Sequence, residues 1–198
     1  MTNIAPSVPV LKSWRQIYQV DNLLRQCQDK ICGQYGLTVE QYSVLMVLNY
    51  AGGSARVTDI AQWLIHSPNS ISMIVDRMVK SGLVKRTRDR ADRRVVNVAA
   101  TSKANTVVKQ AHVAVLDFVR KVFQPLSYED TNALSGLLGT LKYEILNYSN
   151  PELDIKEAKR IESKQIDRIV RWPSGAQVAP ASEARAPARR NRKTPRRR

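Results

Sequence analysis

Ser67-Pro68-Asn69-Ser70-Ile71-Ser72-Met73-Ile74-Val75-Asp76-Arg77-Met78-Val79-Lys80-Ser81-Gly82 decides how this chain folds, together with two β-rich runs close behind it, at 83–88 and 95–99. Ser67 offers an N-cap oxygen, and Pro68 takes the first helical position, where its missing N–H costs nothing. Gly82 marks the end of the helix. Between these limits Ile71, Ile74, Val75 and Met78 fall at i, i+3, i+4 and i+7, an apolar stripe that must pack inward. Pro68, Asn69, Ser70, Ser72, Met73, Asp76, Arg77 and Lys80 are left facing outward. The β-rich runs flank Asp89-Arg90-Ala91-Asp92-Arg93-Arg94, a polar stretch suited to a hairpin loop. In the second run Val96 and Val98 point one way, Val95 and Asn97 the other.

Upstream, Thr38 and Gln41 have the spacing of a reciprocal cap, which starts a helix through Tyr42, Leu45 and Leu48 and closes it at Gly52 and Gly53. Thr58 is placed to cap a short helix carrying Ile60, Ala61 and Leu64. A short helix, a tight turn, a second helix and an immediate hairpin make a winged helix-turn-helix, in which the second helix enters the DNA major groove and the hairpin reaches the flanking minor groove. Ser67, Pro68, Asn69, Ser70 and Ser72, small groups at a helix start, can approach base edges and phosphates closely, and the helix N-terminus itself attracts phosphate. Met73 and Arg77 share that outer face. Arg88, Arg90, Arg93 and Arg94 of the wing carry guanidinium groups of the kind that lie in a narrow minor groove or on phosphates.

Long helices flank this unit. Val10, Trp14, Ile17, Val20, Leu24, Cys27 and Ile31 recur at steps of three or four, predicting a helix over 10–34. After Ser102 a helix carrying Val108, Ala111, Val115 and Val122 on one face runs to Gln124, and Pro125 stops it. Ser127 and Asp130 form a variant capping box, beyond which Leu134, Leu138, Leu141, Ile145 and Tyr148 make a heptad-like stripe that wants a partner helix. One more helix is read over 152–171, with Ile155, Ile161 or Lys159, Ile166 and Ile169 on its face. The fold class is mainly α with a small β-wing.

At 198 residues the chain suits one domain with a tail, and excludes a large multidomain enzyme. Lys and Arg number 32 against 17 Asp and Glu, a formal net charge of +15. That balance points to a polyanionic partner, double-stranded DNA first and an anionic membrane surface second. From Arg185 onward every charged residue is basic (Arg185, Arg189, Arg190, Arg192, Lys193, Arg196, Arg197, Arg198), with almost nothing apolar between them. Such a segment cannot offset its own ordering entropy, so 173–198 is read as disordered. No apolar run approaches the roughly 20 residues that span a bilayer, and no leader opens the chain, so a cytoplasmic, nucleoid-associated protein with no membrane contact is expected. Neither nucleophile–base arrangements, metal-ligand spacings nor phosphate-binding glycine loops occur, so no enzyme activity, cofactor or metal is expected.

The runs Leu37-Thr38-Val39-Glu40-Gln41-Tyr42-Ser43-Val44-Leu45, Val57-Thr58-Asp59-Ile60-Ala61, Val75-Asp76-Arg77-Met78-Val79-Lys80-Ser81-Gly82-Leu83-Val84-Lys85-Arg86 and Asp89-Arg90-Ala91-Asp92-Arg93-Arg94-Val95-Val96 come in an order and spacing that resembles the MarR family of transcription regulators. The resemblance covers about residues 10 to 148. It implies a homodimer whose terminal helices interlock, with two winged-helix lobes reading a pseudo-palindrome. The organisation that follows is a flexible 1–9, a helical dimerisation domain from 10–36 and 103–150, a DNA-binding domain over 37–102, an extra helix within 151–172, and the basic tail. Arg77 and the 89–94 wing match positions that serve DNA contact or hold the wing. Two departures stand out: Met73 replaces the basic residue common on the early outer face of the recognition helix, and Ala100-Thr101-Ser102-Lys103-Ala104 lacks the glycine of the usual Leu-Thr-x-x-Gly run.

Remaining candidates have two readings each. Cys27 on the apolar face of the first helix is plain packing or a redox sensor, with Cys32 as its partner across a dimer; within one chain the two lie about 140° apart around the helix, too far to bridge. Trp14, Tyr18 and Tyr42 are core residues, or line a crevice for a small aromatic effector such as relatives bind. His66 and His112 lack neighbours that would make a metal site. The expected function is a dimeric repressor released from its operator by a small-molecule or stress signal; the alternative is a low-specificity architectural DNA-binding protein.

Overall fold

The computed structural model describes residues 6–88 and 96–171, except for the side chains of Arg88, Val170 and Arg171. Its elements in chain order are α1 (Val8–Gly33), α2 (Val39–Tyr50), β1 (Ser54–Arg56), α3 (Val57–Leu64), α4 (Pro68–Lys80), β2 (Val84–Arg88), β3 (Val96–Ala100), α5 (Ser102–Phe123), α6 (Tyr128–Ser149) and α7 (Ile155–Arg171). Arg90, Arg93 and Arg94 lie outside the described residues, as does the whole of 173–198.

Local chemistry explains most of the boundaries. Thr38 and Gln41 make the expected reciprocal cap of α2: Thr38 Oγ1 accepts from Gln41 N at 3.3 Å, and Gln41 Oε1 accepts from Thr38 N at 3.0 Å. Ser127 and Asp130 do the same for α6. Gly52 and Gly53 follow α2 at φ +81° and +101°, a region that glycine enters without a Cβ penalty. Without its expected glycine, the start of α5 is capped by Thr101, whose Oγ1 accepts from Ala104 N at 3.2 Å. That hydroxyl also donates toward the Gly82 and Leu83 carbonyls at 2.9 and 3.1 Å, and Thr101 N bonds Leu83 O, tying the end of the α4 turn to α5.

Four readings from the sequence need correction. The first helix begins at Val8, inside the stretch expected to be flexible, because Pro9 falls in its opening turn where no N–H is required. Thr58 does not cap α3: Arg56 takes the N-cap position without a side-chain cap bond, and Thr58 is already helical, because β1 holds the preceding residues extended right up to Val57. The strands are shifted by one residue at their starts, to Val84–Arg88 and Val96–Ala100, and β1 is an unexpected third strand. In α7 the half-buried face is Ala158, Ile161, Glu162 and Gln165, while Ile166 and Ile169 are exposed.

The sheet is antiparallel in the order β1-β3-β2, with Ala55 opposite Val98 and Arg86 opposite Val98 on the other side. The core lies in the lobe formed by α2 to β3 and is extended by the end of α1 and the first half of α5. Leu45, Leu48, Ile60, Ile71, Met78, Val98 and Val108 are fully buried there, each worth about 1.5–3 kcal/mol against exposure. The first half of α1 and the last two turns of α5 add nothing to it, and α6 has no buried residue at all.

Candidate nucleic-acid interface

Helix α3 ends on Ile65, which takes the left-handed conformation at φ +54°, ψ +44°, an unusual place for a β-branched residue. His66 N bonds back to Ala61 O at 2.9 Å, and Ser67 then caps α4 through its Oγ, which accepts from Ser70 N at 3.1 Å. This tight turn sets α4 against α3. Ile71, Ile74, Val75 and Met78 are all buried, as their spacing required. Ser67, Pro68, Asn69, Ser70, Met73 and Arg77 are exposed and Ser72 is half-buried, so the expected outer face exists as a continuous surface along one helix.

The charge of that face is shaped by a residue the sequence reading passed over. Arg86 on β2 donates from Nη1 to Asp76 Oδ1 at 2.7 Å and from Nη2 to the Ser72 carbonyl at 3.3 Å. Asp76 is the acidic residue of α4, and Arg86 neutralises it while bracing the helix on the sheet. Arg77 and Lys80 then dominate the outer electrostatics, with Arg77 Nε donating only weakly to its own Met73 carbonyl at 3.4 Å. The period-two alternation of β2 was the available signal, since it puts Lys85 and Thr87 on one face and Arg86 on the other. Arg56, exposed at the end of β1, is a second basic residue missed because β1 itself was missed. Arg88 pairs in register with Val96 at the last described rung of the wing.

Trp14, Tyr18 and Tyr42 do not converge within one chain. Trp14 and Tyr18 are 68% and 66% exposed on the outer part of α1, whereas Tyr42 is buried in the core with its Oη 2.8 Å from His112 Nδ1. A cavity of about 280 Å³ does open between α1 and the lobe, lined by residues such as Leu24, Arg25, Glu40, Ser43 and His66, and by none of these three aromatics. Of the two cysteines, Cys32 is fully buried and Cys27 half-buried. Burial, and then the charges of Asp29 and Glu40, push the Cys32 thiol up to about 11, which keeps it protonated.

Burial also lowers the pKa of His112 from its ordinary 6.5, so the folded protein holds it neutral beside Tyr42. The unfolded chain takes up a proton below 6.5 that the folded chain refuses. Stability is therefore complete above that pH and falls as the pH drops below it, by up to about 1.4 kcal/mol per pH unit. Urea midpoints measured from pH 7.5 to 5 should show this decline in the parent and a flatter profile in His112→Gln; equal slopes would refute the assignment.

Residues 35–95, which hold α2 to the wing, match the MarR family. YfiV, an uncharacterised HTH-type transcriptional regulator of Bacillus subtilis, is 31% identical over 111 residues, which are 56% of this chain and 69% of YfiV. The chain belongs to the MarR family. It is accordingly a DNA-binding transcriptional regulator with a winged helix-turn-helix lobe, in which α3 and α4 are the helix-turn-helix and β2–β3 the wing. Two solved MarR-like structures superpose on most of it. The organohalide-sensing regulator RdhR-CbdbA1625 in its 2,4-dichlorophenol-bound form has a TM-score of 0.66 at 23% identity, covering 77% of this chain and 93% of that one. Reduced AbfR bound to DNA has a TM-score of 0.60 at 26% identity, covering 69% and 94%. Among the described residues no helix is long and apolar enough to cross a membrane.

Proposed function

We propose that this MarR-family protein is a dimeric repressor that occludes a pseudo-palindromic operator in double-stranded DNA and is released by a small molecule or a stress signal. The observation that carries the reading is the outer face of α4, small and polar at its N-terminus, basic toward Arg77, and braced against the wing by Arg86. AbfR, similar in fold, is bound to DNA in its solved structure, which supports this use of the lobe. Ser67, Asn69, Ser70 and Ser72 approach base edges and phosphates, Arg77 adds a phosphate or base contact, and Arg88, Arg90, Arg93 and Arg94 hold the flanking groove. Met73, 58% exposed, offers apolar contact where a basic residue would read a base, so shape readout through the wing carries more of the specificity.

The second copy is supported by the apolar surface left over. Leu137, Leu138, Leu141, Ile145 and Tyr148 of α6 and Val10, Leu11 and Trp14 of α1 are all exposed, on a scale that monomeric proteins avoid. Two lobes held by such a dimer would meet half-sites about 10 bp apart, or a near multiple. An effector would act by favouring a lobe spacing that misfits the operator, in proportion to its differential affinity for the two states. Binding of 2,4-dichlorophenol by RdhR-CbdbA1625 supports a small aromatic effector.

Arg77→Ala, Arg93→Ala and Arg94→Ala should each weaken DNA binding by roughly 10-fold, in line with about 1–3 kcal/mol per specific contact, while sedimentation still shows a dimer. Full affinity in all three would remove α4 and the wing from the mechanism. Met73 and the basic tail favour a second reading, an architectural protein that coats DNA with little sequence preference. Footprinting separates the two: discrete protected inverted repeats support the repressor, uniform protection the coat.

A further inference from the structure

The outer face of α4 resolves position by position. At about 100° per residue, the buried stripe of Ile71, Ile74, Val75 and Met78 centres almost opposite Asn69, and Met73, Asp76 and Lys80 all fall within about 40° of Asn69. These four side chains therefore point furthest from the lobe. A recognition helix enters the major groove with its N-terminal residues leading, which places Lys80, in the last turn, away from the base edges. Asp76 is already engaged by Arg86 at 2.7 Å. Asn69 and Met73 are the two that remain to meet bases.

The serines beside them are largely engaged with each other. Ser67 Oγ accepts from Ser70 N at 3.1 Å and lies 2.8 Å from Ser70 Oγ. Asn69, by contrast, has no side-chain hydrogen bond among the described residues, and its amide keeps the donor and acceptor that match adenine N7 and N6. Met73 has no polar group to offer. It is 58% exposed although Ile71 and Ile74, close by in the same helix, are buried. It thus presents an unbranched, polarisable apolar chain in the middle of a polar reading surface. The apolar group that unmodified bases show in the major groove is the 5-methyl of thymine.

We propose that Met73 reads thymine, packing its side chain on that methyl group, while Asn69 holds a nearby adenine. This rests on the reading of α4 as the DNA-reading helix and deepens it, because it fixes two bases of the half-site relative to each other. Asn69 and Met73 are separated by about 6 Å along the helix axis, less than two base-pair steps of about 3.4 Å. The thymine therefore stands no more than two base pairs from the adenine, on one strand or the other.

The test uses the full-length chain and the inverted repeat that it enriches from random duplex DNA. Each thymine of a half-site, and its counterpart in the other, is replaced in turn by uracil, which removes the methyl and keeps the pairing. At one thymine per half-site, within two base pairs of an adenine, the parent should bind roughly 4-fold more weakly for each methyl removed, the effect of burying one such group. Met73→Ala, with parental circular dichroism, should bind the thymine duplex about as weakly as the parent binds the doubly substituted one, and should be indifferent to uracil there. No phosphate takes part in the contact, so the uracil penalty should be equal at about 50 and 200 mM salt. Uracil tolerated at every thymine, or a sensitive thymine that stays sensitive in Met73→Ala, overturns the assignment. Asn69→Ala and Arg77→Ala keep the reading of α4 separate. If they relax the enriched sequence while uracil has no effect, α4 reads DNA and Met73 does not read thymine; enrichment of no common sequence, or of one that all three variants leave unchanged, overturns both.

Discussion

Replacing Ile71 with alanine is expected to lower the unfolding free energy by about 2–5 kcal/mol, the usual cost of emptying a fully buried aliphatic site. Ile71 is the first inward residue of α4 and has no exposed surface. It stands one turn after the Ser67 cap, where the helix has few other holds: Ile74 and Val75 follow a turn later, and the Asp76–Arg86 pair braces the outer side. The core of the lobe is small, so a loss of that size is a large share of the 5–15 kcal/mol by which domains are ordinarily stable. The contrast is Met73→Ala two positions on, which changes an exposed side chain and should shift stability by no more than about 0.5 kcal/mol. Urea unfolding followed by circular dichroism decides the matter. An Ile71→Ala midpoint equal to that of Met73→Ala would mean that α4 is not seated in the lobe by this stripe.

That prediction could be written from the sequence, because stripe and cap are both local: Ile71, Ile74, Val75 and Met78 repeat at the helical period, and Ser67-Pro68 fixes where it begins. The same is true of the Thr38–Gln41 and Ser127–Asp130 caps. What escaped was decided by partners remote in sequence. β1 is three residues long, too short for alternation to register, and exists because Ala55 pairs with Val98. Once that strand runs to Arg56, α3 must start at Val57, and Thr58 loses the cap its residue type promised. Arg86 carried no local signal of a role, and only the packing of β2 beside α4 turns it toward Asp76. Tyr42 shares the helical period of a core residue and is one, but its hydroxyl is claimed by His112, 70 residues away. In α7 the apolar residues alone suggested a stripe through Ile166 and Ile169, whereas the Glu162 contacts with Lys142 and Tyr143 rotate a more polar face inward.

Exchanging the eight basic residues from Arg185 to the C-terminal Arg198 for glutamine is expected to flatten the salt dependence of DNA binding more than any single change in the lobe. Each phosphate neutralised adds about −0.9 to the slope of log K against log salt, because condensed counterions are released with it. If three of the eight side chains engage phosphates at once, the slope changes by about 2.7, which amounts to roughly 40-fold in affinity between 50 and 200 mM salt. All eight would change it by about 7. Such contacts carry no base information, so operator and random duplex should be weakened alike, and the preference between them should be retained by α4 and the wing. Removal of Arg77 flattens the slope in the same direction but by about one at most, whereas a residue on the reading helix also alters the preference. Anisotropy titrations of both duplexes across that salt range measure slope and preference together. A slope unchanged by the eight substitutions would take the tail off the DNA. A preference that vanished with them would mean that the charge, and not the lobe, had been choosing the site.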